Sequence, residues 1–164
     1  EFTDGLDLDI YFYKIDGDID QINTLNTSIG MSRIDPRQFS DLAWMPFAIG
    51  ALILLVLRVI AVGDLRSLIA LAVLATYFAV FSLGRFYYTL HLYGNNLDPY
   101  APVEVASFTP VLFGTQKIAE ITTSAYPQGG AWLILVFTLG VSILALWHVV
   151  RGLRGSAGRE PAPA

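Results

Sequence analysis

The amino-acid sequence predicts an all-α membrane protein with three visible transmembrane helices, an acidic extracytoplasmic amino-terminal segment and an outer loop carrying an interfacial helix. Three observations carry this. Of 164 residues, 54% are hydrophobic and only 15% are charged, against about 25% charge in an ordinary soluble domain. Charges thin out after Asp41 and leave three apolar stretches, each near the ~20 residues that an α-helix needs to span hydrocarbon. Lys and Arg flank one set of the helix ends more than the other, as in a multi-pass topology.

Residues 1–41 form the extracytoplasmic amino-terminal segment. Leu8 to Lys14 is rich in β-formers and predicts an extended, strand-like piece. Asp16-Gly17-Asp18-Ile19-Asp20 alternates carboxylates like half of a calcium loop, yet Gln21 stands where glycine is required and Thr27 where glutamate is. It is a solvated acidic turn rather than an EF-hand. Ile22, Leu25 and Ile29 share one helical face, so a short amphipathic helix is predicted from Asp20 to Ser28, stopping at Gly30 and resting on the membrane helices. Asp35-Pro36 has the form of a helix cap followed by proline at the first helical position, and Pro46 is placed to kink the entry to the first span.

The first span covers 42–62 and holds one charge, Arg58, a turn from its end, where a long side chain snorkels to the headgroups. A cytoplasmic link, 63–66, leads to the second span, 67–92, whose outer end carries Phe86, Tyr87, Tyr88 and Tyr93 as an aromatic belt. The loop 93–130 contains Pro99, Pro102, Pro110 and Pro127 and is no single helix; Thr109-Pro110 begins a predicted surface helix to Thr123, with Val111, Leu112, Ile118, Ala119 and Thr122 on one face. The third span, 131–150, lies in an uncharged run from Ile121 to Val150, and 151–164 is a flexible cytoplasmic tail. Arg58, Arg66, Arg151, Arg154 and Arg159 mark the cytoplasmic side. The amino-terminal side, with nine acids against three basic residues over 1–43, is then outside. Translocating that segment calls for a fourth helix ahead of Glu1.

Composition also excludes chemistry. There are no cysteines, hence no disulfide and no thiolate metal site, and the scattered basic residues of a chain with net charge −4 give no nucleic-acid footprint. No catalytic triad, phosphate-binding glycine loop or HExxH motif is present, and no ionisable side chain sits mid-span, which argues against an enzyme or an ion-coupled transporter. The two histidines, His91 and His148, fall at opposite ends of spans and at depths ~30 Å apart, too far to share an ion. A metal at His91 would need Met31, Asp98 or Glu104 beside it. Arg85 meets the outer headgroups at the depth of Tyr88 and His91, and it is expected to pair with Asp98 or Glu104 and lock the loop, with its Pro99 and Pro110, onto the bundle.

Asp20 to Met31, Trp44-Met45-Pro46, Tyr93-Gly94-Asn95-Asn96-Leu97-Asp98-Pro99, Gly114-Thr115-Gln116-Lys117 and Ser124-Ala125-Tyr126-Pro127 together resemble a family of small multi-pass bacterial membrane proteins associated with copper-enzyme systems of the nitrous oxide reductase type. The family pattern has Asn-His-Tyr-Ile-Gly-Met where this chain has Asn26-Thr27-Ser28-Ile29-Gly30-Met31, and Tyr-Gly-His-Asn-Leu-Asp-Pro where it has Tyr93 to Pro99. Both motif histidines are absent, leaving Met31 as the matched soft ligand for copper. The resemblance implies a bacterial inner-membrane protein and a further amino-terminal helix. The expected role is a non-catalytic accessory or assembly subunit, with the lipid bilayer and other membrane subunits as partners and without a cofactor of its own. A copper-handling protein is the alternative. Thr76, Ser82, Thr138 and Ser142 are too few polar positions to line a channel.

Overall fold

The computed structural model describes residues 5–37, 39–118 and 121–157. Its elements are β1 (Leu8–Ile10), β2 (Ile15–Gly17), α1 (Ile19–Ser28), α2 (Ser40–Val62), α3 (Leu65–Asn95), β3 (Gly114–Ile118), β4 (Ile121–Ala125) and α4 (Gly129–Ala157). Three segments, Leu42–Val62, Leu65–Asn95 and Gly129–Leu153, are helices long and apolar enough to cross a membrane. Each expected span therefore lies inside a helix, and α3 and α4 run past the expected ends at 92 and 150. The chain divides into two compact units, one of residues 1–47 and 82–130, the other of 48–81 and 131–164.

The fold is not all-α. In the first unit β1 and β2 form an antiparallel hairpin with Asp9 opposite Asp16 and Ile10 opposite Ile15. The extended piece expected over 8–14 is thus shorter, and Tyr11 to Lys14 turn the corner, Tyr11 N–H donating to the Lys14 carbonyl at 2.9 Å. The surface helix expected from Pro110 to Thr123 is instead the hairpin of β3 and β4, with Thr115 opposite Ser124 and Ile118 opposite Ile121. Gly114 has φ +100°, outside helical space. The β-branched Thr115, Ile118, Ile121, Thr122 and Thr123 lose side-chain freedom on a helix and suit a pleated strand. Thr115 and Ser124 hydroxyls bond across it at 2.9 Å. Ala119 and Glu120 lie outside the described residues.

Helix α1 forms as expected, but its buried face differs. Asn23 and Asn26 are buried with Ile29, whereas Ile22 and Leu25 are half-buried. On that face the Asn23 side chain pairs with the backbone of Ile34, as buried polar groups are paired. Asp35-Pro36 does not start α2. Asp35 Oδ1 accepts the Arg37 N–H at 2.9 Å, making a side-chain turn, and α2 begins at Ser40. Pro46 lies inside α2, where it withholds a hydrogen bond from the Leu42 carbonyl.

In the second unit, Leu68 and Ala72 of α3 and Ala145 of α4 form a small core, with Val59 and Val141 packed on it. Ala75 is almost fully buried. Small side chains permit this close helix approach. Thr76 Oγ1 donates to the Ala72 carbonyl at 2.8 Å, so the Ser142 hydroxyl, 3.3 Å away, donates to Thr76 and bridges α3 to α4. The α2–α3 corner is built by Gly63 at φ +67° and by Asp64, whose Oδ2 accepts the Ser67 N–H at 3.0 Å as a helix cap. Arg58 Nε donates to Ser67 Oγ at 3.2 Å, so the expected snorkelling arginine instead braces the corner. The Ser67 hydroxyl and N–H hold the Asp64 carboxyl below its ordinary value of 3.8. On α4 the Arg151 guanidinium lies 4.4 Å from the Trp147 ring centre. Helix α4 extends to Ala157, seven residues beyond the expected span, so the tail is helical at its start; residues 158–164 lie outside the described residues.

Candidate functional site

The motifs that stand out in the sequence meet in the first unit. Helix α1 ends where Met31 N–H donates to the Asn26 carbonyl at 2.8 Å and Gly30 N–H to the Thr27 carbonyl at 3.3 Å, with Gly30 at φ +79°. This is the six-to-one and five-to-two pairing of a Schellman stop, which places glycine in the left-handed region. The Gly30 carbonyl then accepts the Asp98 N–H at 2.8 Å, and the Ser28 carbonyl accepts the Val103 N–H at 3.0 Å. A Cβ on Gly30 would lie 2.8 Å from the Asp98 carbonyl oxygen and 3.0 Å from Ala101 Cβ. Backbone therefore packs on backbone here.

Asp98-Pro99-Tyr100-Ala101 is a tight turn. Ala101 N–H donates to the Asp98 carbonyl at 3.2 Å and Tyr100 N–H to Asp98 Oδ1 at 2.9 Å. Aspartate at the first position and proline at the second suit that geometry. Asp98 is thus a turn former, joined to the residue before Met31. Glu104 is exposed. Lys14 and Asp16 form an ion pair on the β1–β2 hairpin. Asp98 Oδ1 is held in its own turn, and backbone amides tie the 98–103 segment to the end of α1. Tyr88 is exposed.

The end of α3 carries a second clamp. Phe108 N–H donates to the Gly94 carbonyl at 3.0 Å, and a Cβ on Gly94 would overlap the Phe108 carbonyl and touch Pro110 Cδ. Asn95 Nδ2 donates to the carbonyls of His91 at 2.9 Å and Phe108 at 3.2 Å. His91 Nδ1 lies 2.9 Å from Thr109 Oγ1 and 3.1 Å from Asn95 Nδ2. Thr109 and Pro110 therefore serve this clamp, not the start of a helix. Tyr93 stacks on Phe39, with ring centres 5.9 Å apart, and its hydroxyl donates to the Arg33 carbonyl at 3.3 Å.

The sequence marks His91, Asp98, Pro99 and Pro110 as candidates, Gly30 as a helix stop and Thr109 as a helix cap, but not the joining roles of Asn23, Gly30, Gly94, Asn95 and Thr109. Their signal was present as glycine and asparagine at helix ends. Between α1 and the turn lies an open groove of roughly 470 Å³ lined by Thr24, Thr27, Ser28, Arg33 and Pro102. The three hydroxyls donate back to helix carbonyls of Asp20, Asn23 and Leu25, so Arg33 supplies the groove's charge. Among the described residues no three His, Asp or Glu side chains are grouped closely enough to hold an ion. The arrangement can fix loops and present a surface. Comparison with protein-family models, curated proteins and solved structures finds no match.

Proposed function

We propose that this chain is a non-catalytic accessory or assembly subunit of a larger bacterial membrane enzyme complex, copper-dependent or respiratory in type, with its first unit on the extracytoplasmic side of the inner membrane. One observation carries the reading: Asp98, Asn95, Thr109 and Asn23, polar side chains that chemistry would use, hold the chain's own backbone and the His91 ring. Asp98 forms a turn, Asn95 and Thr109 clamp His91, and Asn23 pairs with Ile34. Such a unit is a rigid platform, and its neighbour supplies the chemistry. Helix α2 offers further surface, since no residue of Leu42–Val62 is buried. Lipid or a partner helix covers such a face.

Native mass spectrometry of the chain extracted from its own membrane in mild detergent tests this, because one spectrum reports both bound chains and bound ions. A stoichiometric complex in which this chain carries no ion is expected. A lone chain would overturn the reading. Copper handling at the outer face is the second reading, favoured by the bond that joins Asp98 to the residue before Met31. It requires an ion in that spectrum that is lost on His91→Ala.

A further inference from the structure

The β1–β2 hairpin combines two properties that the rest of the first unit does not use. Its period-two pattern, Asp7-Leu8-Asp9-Ile10 against Ile15-Asp16-Gly17-Asp18, puts the aspartates on one face and the apolar residues on the other. Ile15 is buried on the apolar side. On the acidic side Asp9 and Asp16 stand directly opposite each other, a placement that like charges disfavour. Lys14 bonds Asp16 and lies over the Tyr11 ring, which leaves this face net negative.

At the tip, Ile10, Tyr11, Phe12 and Tyr13 are four consecutive large side chains, each between 43% and 53% exposed. They are already ordered among themselves. Tyr13 meets Phe12 edge-on at 4.9 Å between ring centres and Tyr11 at 5.9 Å, on a turn closed by the Tyr11–Lys14 backbone bond. A preformed aromatic cluster loses little freedom on binding, and rigid tyrosines rimmed by charge are the composition of an interface anchor.

We infer that the aromatic tip Tyr11-Phe12-Tyr13 is a docking anchor for a partner protein that offers an apolar pocket ringed by Lys or Arg. The basic ring faces Asp9 and Asp16 and relieves their mutual repulsion. The acidic face favours this occupant over a bilayer surface, since elements that lie on lipid carry Lys or Arg beside their apolar residues. The inference rests on the subunit reading and names the chemistry of the neighbour.

The test places the photoreactive analogue p-benzoylphenylalanine at position 12 of the full chain in its own membrane, with position 100 as the control, because Tyr100 is exposed but lies off the hairpin. Irradiation is expected to give a protein adduct from position 12 and not from position 100. The partner's cross-linked peptide, sequenced by mass spectrometry, is expected to lie beside Lys or Arg. Adduct yield falls roughly tenfold with Asp9→Lys or at high salt, and Asp9→Asn, a milder change, lowers it in the same direction. A lipid adduct, no adduct, equal yield from position 100, a partner peptide without basic neighbours, or a yield indifferent to both variants overturns the inference. A complex seen by native mass spectrometry without the position-12 adduct sinks the anchor alone, whereas a lone chain sinks the subunit reading itself.

Discussion

The side chain of Asn23 pairs with both backbone polar groups of Ile34: Nδ2 donates to the Ile34 carbonyl at 3.0 Å, and Oδ1 accepts the Ile34 N–H at 2.6 Å. The amide thereby does for the 31–34 segment what a neighbouring strand would do, and it fixes that segment beside α1. Asn23→Leu keeps the volume and strands both backbone groups. The expected loss is about 2–3 kcal/mol of local stability, from two part-buried groups left unpaired. Hydrogen exchange of the Ile34 amide in detergent measures it, and unchanged protection would refute the role given to Asn23.

Glycines in helices divide by what stands where a Cβ would go. Gly94→Ala forces a methyl into the Phe108 carbonyl and is expected to cost on the order of 2 kcal/mol or more by displacing the 108–110 segment. Gly50 and Gly140 face open space, so alanine there is expected to be neutral or to stabilise by up to about 1 kcal/mol through helix propensity. Thermal unfolding of the three variants in one detergent gives the ranking, and limited proteolysis locates the Gly94 effect in the loop.

The α2–α3 corner is acid-sensitive with a definite sign. Asp64 is held below its ordinary value of 3.8 by the Ser67 hydroxyl and N–H, with Arg58 adding attraction. A carboxyl depressed in the folded state contributes its stability fully above the unfolded value and loses it as pH falls through the folded one. Protection of the Ser67 amide should therefore be level at neutral pH and decline below about pH 4. Asp64→Asn should flatten that decline.

The Thr76–Ser142 bridge joins α3 to α4 among apolar surroundings. A double-mutant cycle with Thr76→Val and Ser142→Ala is expected to give a coupling of about 0.6 kcal/mol, the average for such bonds between membrane helices. Additive single effects in detergent unfolding would show that the two hydroxyls merely lie near each other.

Gly30→Ala combines a left-handed φ with contact on the Asp98 backbone. It is expected to open the α1 stop and release the 98–103 segment together, read as coincident loss of exchange protection at Met31 and Asp98. Loss at Met31 alone would separate the two.

The three spans, their near-complete boundaries and the position of α1 were legible in the sequence, because a long uncharged apolar run has one physical outcome and a helix stop at glycine is local. Leu42 to Val62 needs no neighbour to declare itself. The stretch 110–125 is ambiguous in sequence because Val111, Ile118 and Thr122 fit a helical face as well as a strand, and only the Thr115–Ser124 pairing and the positive φ of Gly114 select the hairpin. Asp35-Pro36 likewise has the chemistry of a helix start and of a turn.

The site divides in the same way. Residue types alone marked His91, Asp98 and Pro110 as notable, but their roles depend on partners far along the chain. Asp98 meets Gly30, and Phe108 meets Gly94, through backbone amides that any residue possesses. Such bonds leave no imprint on residue choice except the missing Cβ. Hydropathy, a property of each segment against its solvent, set the membrane-spanning helices by itself; which polar groups face each other was decided by tertiary contact, because a hydrogen bond is a relation between two places.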